Sequence, residues 1–302
     1  MKRGNPNPIL IAAIILLSSV ATTSGIFSNE GSGHYQYTSI RGQEVTLYGK
    51  GLYKHMSAEV APQGIAQDYV TLFIAIPLLI IGFVLNRRGS IKGKYLLSGV
   101  LGYFLVTYLF YTAMAMYNRL FLVYVALLST SFYSFITSLL SFDSNRLYKS
   151  FKPFTFFRFA GGFLIFSSIA IAFLWLSIVV PPLLNGTIVP KEVEHYTTLI
   201  VQGFDLGILL PAAFLSGVLW LKKKPLGYLF APIYFIFLSL LMTALTAKVI
   251  VMGMLGYNII PVVFIIPTFN VITIACAVLI LRNVVEVSST IKQAAYEKEF
   301  FV

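Results

Sequence analysis

The feature that most constrains this chain is a series of eight long apolar runs. They lie at about 8–27, 67–86, 95–117, 119–141, 159–181, 197–221, 226–250 and 257–281. Each run has about the 20 residues that a helix needs to cross roughly 30 Å of hydrocarbon. We therefore predict an all-α polytopic membrane protein, a bundle of seven or eight transmembrane helices.

Composition points to the same class and to the lipid bilayer as the main partner. Of 302 residues, 58% are hydrophobic and 11% are charged, against about 25% charged in ordinary soluble chains. The net charge of +11 does not indicate a nucleic-acid partner, because the basic residues lie between the runs and form no stripe with interleaved aromatics. The oligomeric state is left open.

The basic residues predict the orientation. Lys2 and Arg3 precede the first run, and clusters of Lys and Arg recur in every second connection, at 87–94, 142–158 and 222–225, and again after residue 281. Positively charged loops stay in the cytoplasm. We expect a multi-pass protein of the cell (plasma) membrane with a cytoplasmic C-terminus.

The first run has two interpretations. Lys2 and Arg3, the apolar stretch and "SVA" at 19–21 are typical of a secretory signal, and its removal would leave seven helices. The apolar character continues through Phe27, which favours a retained first helix. The predicted organisation is a signal-like segment or helix at 1–27, a cap at 28–66, a seven-helix bundle at 67–283 and a cytoplasmic tail at 284–302.

The segment 28–66 is predicted to form a small β-containing cap outside the cytosol. Val45 and Leu47 alternate with Thr46 and Tyr48, which is typical of a half-buried strand. We expect two or three strands that pack on the helix ends, because 39 residues cannot bury a core of their own.

Two hairpins four runs apart resemble each other. Each has a polar pair, a proline, a basic turn and an "LGY" motif in the same order: Gln67-Asp68, Pro77, Arg87-Arg88 and 101–103 in the first, and Gln202 with Asp205, Pro211, Lys222 to Lys224 and 226–228 in the second. This order indicates a parallel internal repeat. Prolines and basic helix ends are also common in unrelated spans.

Four stretches carry a resemblance to a known group of proteins. They are "RGQEVTLYGKGLY" at 41–53, "QDYVTLF" at 67–73, "RRGS" at 87–90 and "DLG" at 205–207. In these the chain resembles a group of multi-pass bacterial and archaeal membrane proteins with no assigned activity. The resemblance covers most of the chain and implies no substrate and no catalytic residue.

Asp205 is the sharpest indication of function. A charge at the bilayer centre costs roughly 2.5–3.5 kcal/mol and usually faces a bundle interior or a water-filled cavity. Thr198, Gln202 and Asp205 are spaced by four and three residues, so they share one helix face. The alternative is a polar contact that only holds helices together.

Other polar residues are expected near Asp205. Arg119 or Lys248 would neutralise it, and Tyr108 or Tyr111 would donate hydrogen bonds to it. The candidate ligand-binding set is Asp205, Gln202, Asp68, Tyr111, Asn118, Arg119, Lys248 and, about mid-membrane, Asn270.

The sequence leaves three classes of function open. The leading one is a transporter or receptor that binds a small molecule or ion in an outward-facing polar pocket. The second is a membrane scaffold, and the third is an enzyme that acts on a lipid-borne substrate with Asp68 or Asp205 as acid or base. No catalytic residue, cofactor or metal is predicted, because the chain has no P-loop and no HExxH motif.

Overall fold

The computed structural model describes residues 6–143, 147–152 and 157–286. Within these, eight helices are long and apolar enough to span a membrane, as the sequence predicts. They are α1 (Pro8–Phe27), α2 (Val60–Arg87), α3 (Ile91–Met114), α4 (Phe121–Leu140), α5 (Phe157–Leu184), α6 (Ile200–Leu221), α7 (Pro225–Met254) and α8 (Val262–Asn283).

Helix α2 begins seven residues before the apolar run that predicted it. The sequence prediction started at residue 67, whereas the helix starts at Val60. The added turns, residues 60–66, carry Pro62, Gln63 and Gly64, which lower the hydropathy of this stretch. Buried Gln67 is accommodated because its amide has hydrogen-bond partners inside the bundle.

A two-stranded antiparallel sheet forms the cap. Strand β1 (Tyr35–Thr38) pairs with β2 (Glu44–Leu47), with Tyr35 opposite Leu47. Val45 and Leu47 of β2 are buried, in agreement with the predicted alternation. The cap ends at residue 59, where α2 begins. We call the side of the bundle that carries it the cap end, and the opposite side, where the Lys and Arg clusters lie, the basic end.

Helices α3 and α7 lie at the centre of the bundle. Helix α3 packs against α2, α4 and α7, while α7 also packs against α6, α8 and the first half of α2. The hydroxyl of Tyr95 in α3 donates a hydrogen bond to the carbonyl of Tyr228 in α7, at 2.8 Å. Helix α1 packs against α2 and α4, with Ile11 and Ile14 buried in the core.

The α2–α3 and α6–α7 hairpins share one backbone design. Helices α2 and α6 each contain a π-helical segment, Thr71–Ala75 and Asp205–Leu209, and each segment is followed by a proline two positions later. The segments begin at 71 and 205, and α3 and α7 begin at 91 and 225, so both pairs are 134 positions apart.

The turns at the basic end obey the same offset. The amide of Ser90 donates to the carbonyl of Leu85, and that of Lys224 donates to the carbonyl of Leu219. Both turns have positive φ at the equivalent position, Gly89 and Lys223. The structure thus favours the predicted repeat, but in a register that aligns Asp205 with residue 71 and not with Asp68.

Candidate functional site

Asp68 lies inside the bundle, near the cap end of α2. It follows Val60 by eight residues, about 12 Å along the helix, and its side chain is 1% exposed. The hydroxyl of Tyr53 donates to its Oδ2 at 2.6 Å, and that of Tyr111 donates to its Oδ1 at 3.0 Å. The cap and α3 therefore meet at this carboxyl group.

Helix α1 covers the same group. A Cβ atom added to Gly25 would overlap Oδ2 of Asp68 and would lie 3.0 Å from the hydroxyl of Tyr53. The residue must be glycine for α1 to approach this closely. The aromatic rings of Tyr53 and Tyr111 meet edge to face, with centroids 6.3 Å apart, and complete the enclosure of Asp68.

A second group of polar side chains, from α2 and α3, lies next to Asp68. The amide of Gln67 donates to the hydroxyls of Tyr103 and Thr107, at 3.0 and 3.2 Å. The hydroxyl of Tyr103 is also 2.8 Å from that of Thr71, which opens the π-helical segment. These four buried side chains extend the polar region from Asp68 toward the middle of the bundle.

Asp205 begins the π-helical segment of α6 and is half-buried. Its Oδ2 accepts a 2.8 Å hydrogen bond from the indole Nε1 of Trp175 in α5. The expectation that Tyr111 would donate to Asp205 is wrong, because that hydroxyl is committed to Asp68 and to the carbonyl of Gly64. Among the described side chains, Trp175 is the hydrogen-bond donor to Asp205, and the sequence reading missed it.

Lys248 of α7 is the cation of this region. It interacts electrostatically with both Asp68 and Asp205. In the part of the chain that the structure describes, it forms no direct ion pair with either carboxylate. The three charged groups lie five to eight residues from the cap-end termini of α2, α6 and α7, and we call them the charge centre.

Two cavities open at the cap end above Asp205. One has a volume of about 390 Å³ and lies against Arg41, Val193 and the start of α6. The other has a volume of about 220 Å³ and is bordered by Glu59, Glu192 and Glu194. Gln202 lines both cavities, one helical turn before Asp205. Asp68, Asp205 and Lys248 do not line either cavity, and Gln202 is the polar lining residue nearest to Asp205 in the sequence.

The cap is fastened to the loop that precedes α6. The Arg41 guanidinium donates to the carbonyls of Glu194 and Tyr196, and the Gln43 amide donates to the carbonyl of Lys191 at 3.1 Å. Burial raises the pKa of the Glu194 carboxyl above its ordinary value, and nearby Glu59 adds to this effect. Hydrogen bonds between residues about 150 positions apart therefore hold the cap against the loop that borders both cavities.

The remaining candidates lie outside the charge centre. Arg119 is 60% exposed and pairs with Glu30 at 3.8 Å, so it is not the partner of Asp205. Asn118 stabilises the α3–α4 turn by accepting from the amide of Leu120 at 2.9 Å. Asn270 accepts from the hydroxyl of Thr243 at 3.2 Å and joins α7 to α8.

A third cavity, of about 370 Å³, is an apolar groove between α3, α6 and α7. Leu209 of the π-helical segment and Phe135 of α4 form part of its wall. The hydroxyl of Tyr234, which also borders it, donates to the carbonyl of Leu209 at 2.9 Å. This bond satisfies a carbonyl at the end of the π-helical segment that contains Asp205.

Comparison of the chain with protein-family models, with curated proteins and with solved structures finds no match. The resemblance noted in the sequence stays a prediction. Function is therefore inferred from the charge centre and from the cavities at the cap end.

Proposed function

We propose that this protein binds a small polar solute or ion at the charge centre, as a transporter or receptor of the plasma membrane. The observation that carries the proposal is the arrangement of Lys248 with two carboxylates, Asp68 and Asp205, on different helices. Ionisable groups inside membrane bundles are expensive and commonly mark solute or ion pathways.

The charges favour a particular class of ligand. With all three groups ionised, the two carboxylates outweigh the single ammonium by one negative charge. The absence of a direct ion pair at Lys248 leaves its charge without full compensation by the described residues. A cation, or a zwitterion whose ammonium meets Asp205 and whose acidic group meets Lys248, complements this arrangement best.

The approach to the site is proposed to be from outside the cell. The basic end would face the cytoplasm under the positive-inside rule, so the cap end would face outward. Gln202 borders two cap-end cavities and lies one turn from Asp205. The π-helical segments beside both carboxylates support this proposal, because such segments recur at functional sites and allow a helix to change register locally.

Two isosteric changes test the site. Asp205→Asn keeps the shape of the side chain and removes its charge. Lys248→Met keeps an unbranched side chain without the charge, and methionine is also the residue at the equivalent position of the other repeat, Met114. Purified protein is heated with a panel of cationic, anionic and zwitterionic metabolites at pH 6 and pH 8. A ligand at 100 times its dissociation constant stabilises the folded state by about 2.7 kcal/mol.

We expect at least one cationic or zwitterionic compound to stabilise the wild type and to have no effect on either variant. Lys191→Met is the matched control, since it removes a cation from the cap-end surface and should keep the full response. A panel that stabilises none of the proteins, or that stabilises wild type and both folded variants alike, would count against the proposal and favour a scaffold.

A further inference from the structure

The apolar groove between α3, α6 and α7 runs from the middle of the bundle to the basic end. Its wall on α6 extends from Ile208 to Leu219, which is eleven residues or about 16 Å along the helix. Leu219 is two residues before the last residue of α6. The groove is therefore about as long as one leaflet of the hydrocarbon core is thick, which is half of roughly 30 Å.

Small residues leave the space for the groove, and its side is open. Gly102 of α3 and Ala212 and Ser216 of α6 stand where larger side chains would fill it. Ile208 and Leu215 line the same groove and are 52% and 57% exposed. Because α3, α6 and α7 are long and apolar enough to span a membrane, the surroundings that the groove opens to are lipid.

The groove offers no hydrogen bond to water. Among its lining residues, Ser216 and Tyr234 are the two whose side chains carry a polar atom. The Ser216 hydroxyl donates to the carbonyl of Ala212 at 2.6 Å, and the Tyr234 hydroxyl donates to that of Leu209 at 2.9 Å. A bound water needs about two to four polar partners, whereas an apolar cavity stays dry. Hydrocarbon is therefore the material that suits the groove.

A lysine continues the face of α6 that lines the groove. The lining residues and this lysine follow one another at steps of four, three, four and three: Ile208, Ala212, Leu215, Leu219 and Lys222. The amide of Lys222 still donates to the carbonyl of Val218, so the periodicity of α6 holds through this residue. Lys222 is exposed and opens a turn of three lysines, 222–224. Positive charge at the membrane surface attracts anionic lipid headgroups.

We propose that the apolar groove and Lys222 form a binding site for one anionic phospholipid from the leaflet at the basic end. One acyl chain lies in the groove, and the phosphate group meets the ammonium of Lys222. The chain reaches the π-helical segment that begins with Asp205, because Ile208 and Leu209 belong to both the segment and the groove. The proposal needs no solute at the charge centre.

Native mass spectrometry tests the site without knowledge of any solute. Purified full-length protein is delipidated in detergent and titrated with phosphatidylglycerol or with phosphatidylcholine of the same acyl chains. We expect one phosphatidylglycerol to bind about fivefold more tightly than phosphatidylcholine, which is the factor that a single lysine close to the headgroup contributes. Lys222→Gln should remove this preference. Lys152→Gln, which removes an exposed lysine before α5 at the same end, is the control and should keep it.

A second variant tests the groove itself. Ala212→Phe places a ring in the groove and should weaken the binding of both lipids about tenfold, since the acyl chain loses the surface that it would cover. Ala170→Phe adds the same ring at an exposed position of α5 outside the groove and should leave binding unchanged. Because Lys222 is exposed, its variant keeps the test decisive even if Ala212→Phe fails to fold.

Three results would overturn the lipid site. They are equal binding of the two lipids to the wild type, binding of phosphatidylglycerol by either folded variant as tightly as by the wild type, and a dimer that Ala212→Phe abolishes, which would place a second copy of the chain in the groove. None of these results depends on the solute screen, so failure of the two proposals can be told apart.

Discussion

Gly25 of α1 lies directly against the carboxyl group of Asp68 in α2, with no space for a side chain between them. The contact joins the first helix of the bundle to the buried carboxylate of the charge centre. Because Tyr53 of the cap lies on the same side, three separate parts of the chain meet at one atom group. The hydrogen bonds of Asp68 therefore depend on the position of α1.

The first prediction concerns this contact. Gly25→Ala forces the Asp68 carboxyl group to move away from Tyr53, and we expect a loss of about 1–3 kcal/mol in the free energy of unfolding, as for other overpacked sites. Denaturant or thermal unfolding in detergent measures it. The control is Gly162→Ala in α5, where a Cβ meets nothing within 4 Å. At Gly162 the substitution should instead raise the free energy of unfolding, by up to about 1 kcal/mol, because alanine favours the helix more than glycine does. Equal effects at the two glycines would show that the contact with Asp68 is unimportant.

The second prediction concerns the fastening of the cap. Arg41→Met removes the donors to the carbonyls of Glu194 and Tyr196 while keeping most of the apolar stem. We expect amides at 191–199 to exchange with deuterium about fivefold faster, because the loss of these hydrogen bonds lowers the free energy of local opening by about 1 kcal/mol. Hydrogen-exchange mass spectrometry measures this. Lys50→Met, an exposed cation in the same cap, is the control and should leave exchange at 191–199 unchanged.

The third prediction concerns pH and the basic end. Partial burial by itself would raise the pKa of Glu286, but hydrogen bonds from the Ser90 hydroxyl and from the amides of Ile91 and Lys92, with the charge of Lys92, outweigh it. The pKa of Glu286 is therefore held below its ordinary value of 4.5. A lowered folded-state pKa contributes stability above pH 4.5, and that contribution is lost as pH falls through the lowered value.

Comparing the free energy of unfolding of wild type and Glu286→Gln as a function of pH tests the direction of this effect. Since Glu286 is exposed, screening limits the expected difference to about 0.5 kcal/mol at pH 7 in low salt. The difference should shrink as the pH is lowered below 4.5 and should also shrink in high salt. Thermal unfolding in detergent over this pH range measures it. A difference that grows on acidification would contradict the assigned hydrogen bonds.

The sequence by itself determined the number of long helices and the general nature of the bundle. Runs of about 20 apolar residues must form helices in lipid, because every backbone polar group has to be satisfied within the segment. It also identified Asp205 as unusual, since a charge in an apolar run is costly wherever the chain folds, and it named Asp68 and Lys248 as candidate neighbours. The start of α2 escaped prediction because Pro62, Gln63 and Gly64 lower the hydropathy of its first turns, although the helix continues through them.

Only the tertiary structure decided which groups meet. Asp205 takes its hydrogen bond from Trp175, and Asp68 takes its two from Tyr53 and Tyr111, although many other aromatic residues lie at comparable places in the sequence. Helical periodicity specifies which residues share a face of one helix, but it carries no information on which neighbouring helix that face will meet. The packing of α1, α3 and α7 supplied that information, because close approach at small residues such as Gly25 fixes how the helices are rotated and therefore which side chains come within hydrogen-bond distance.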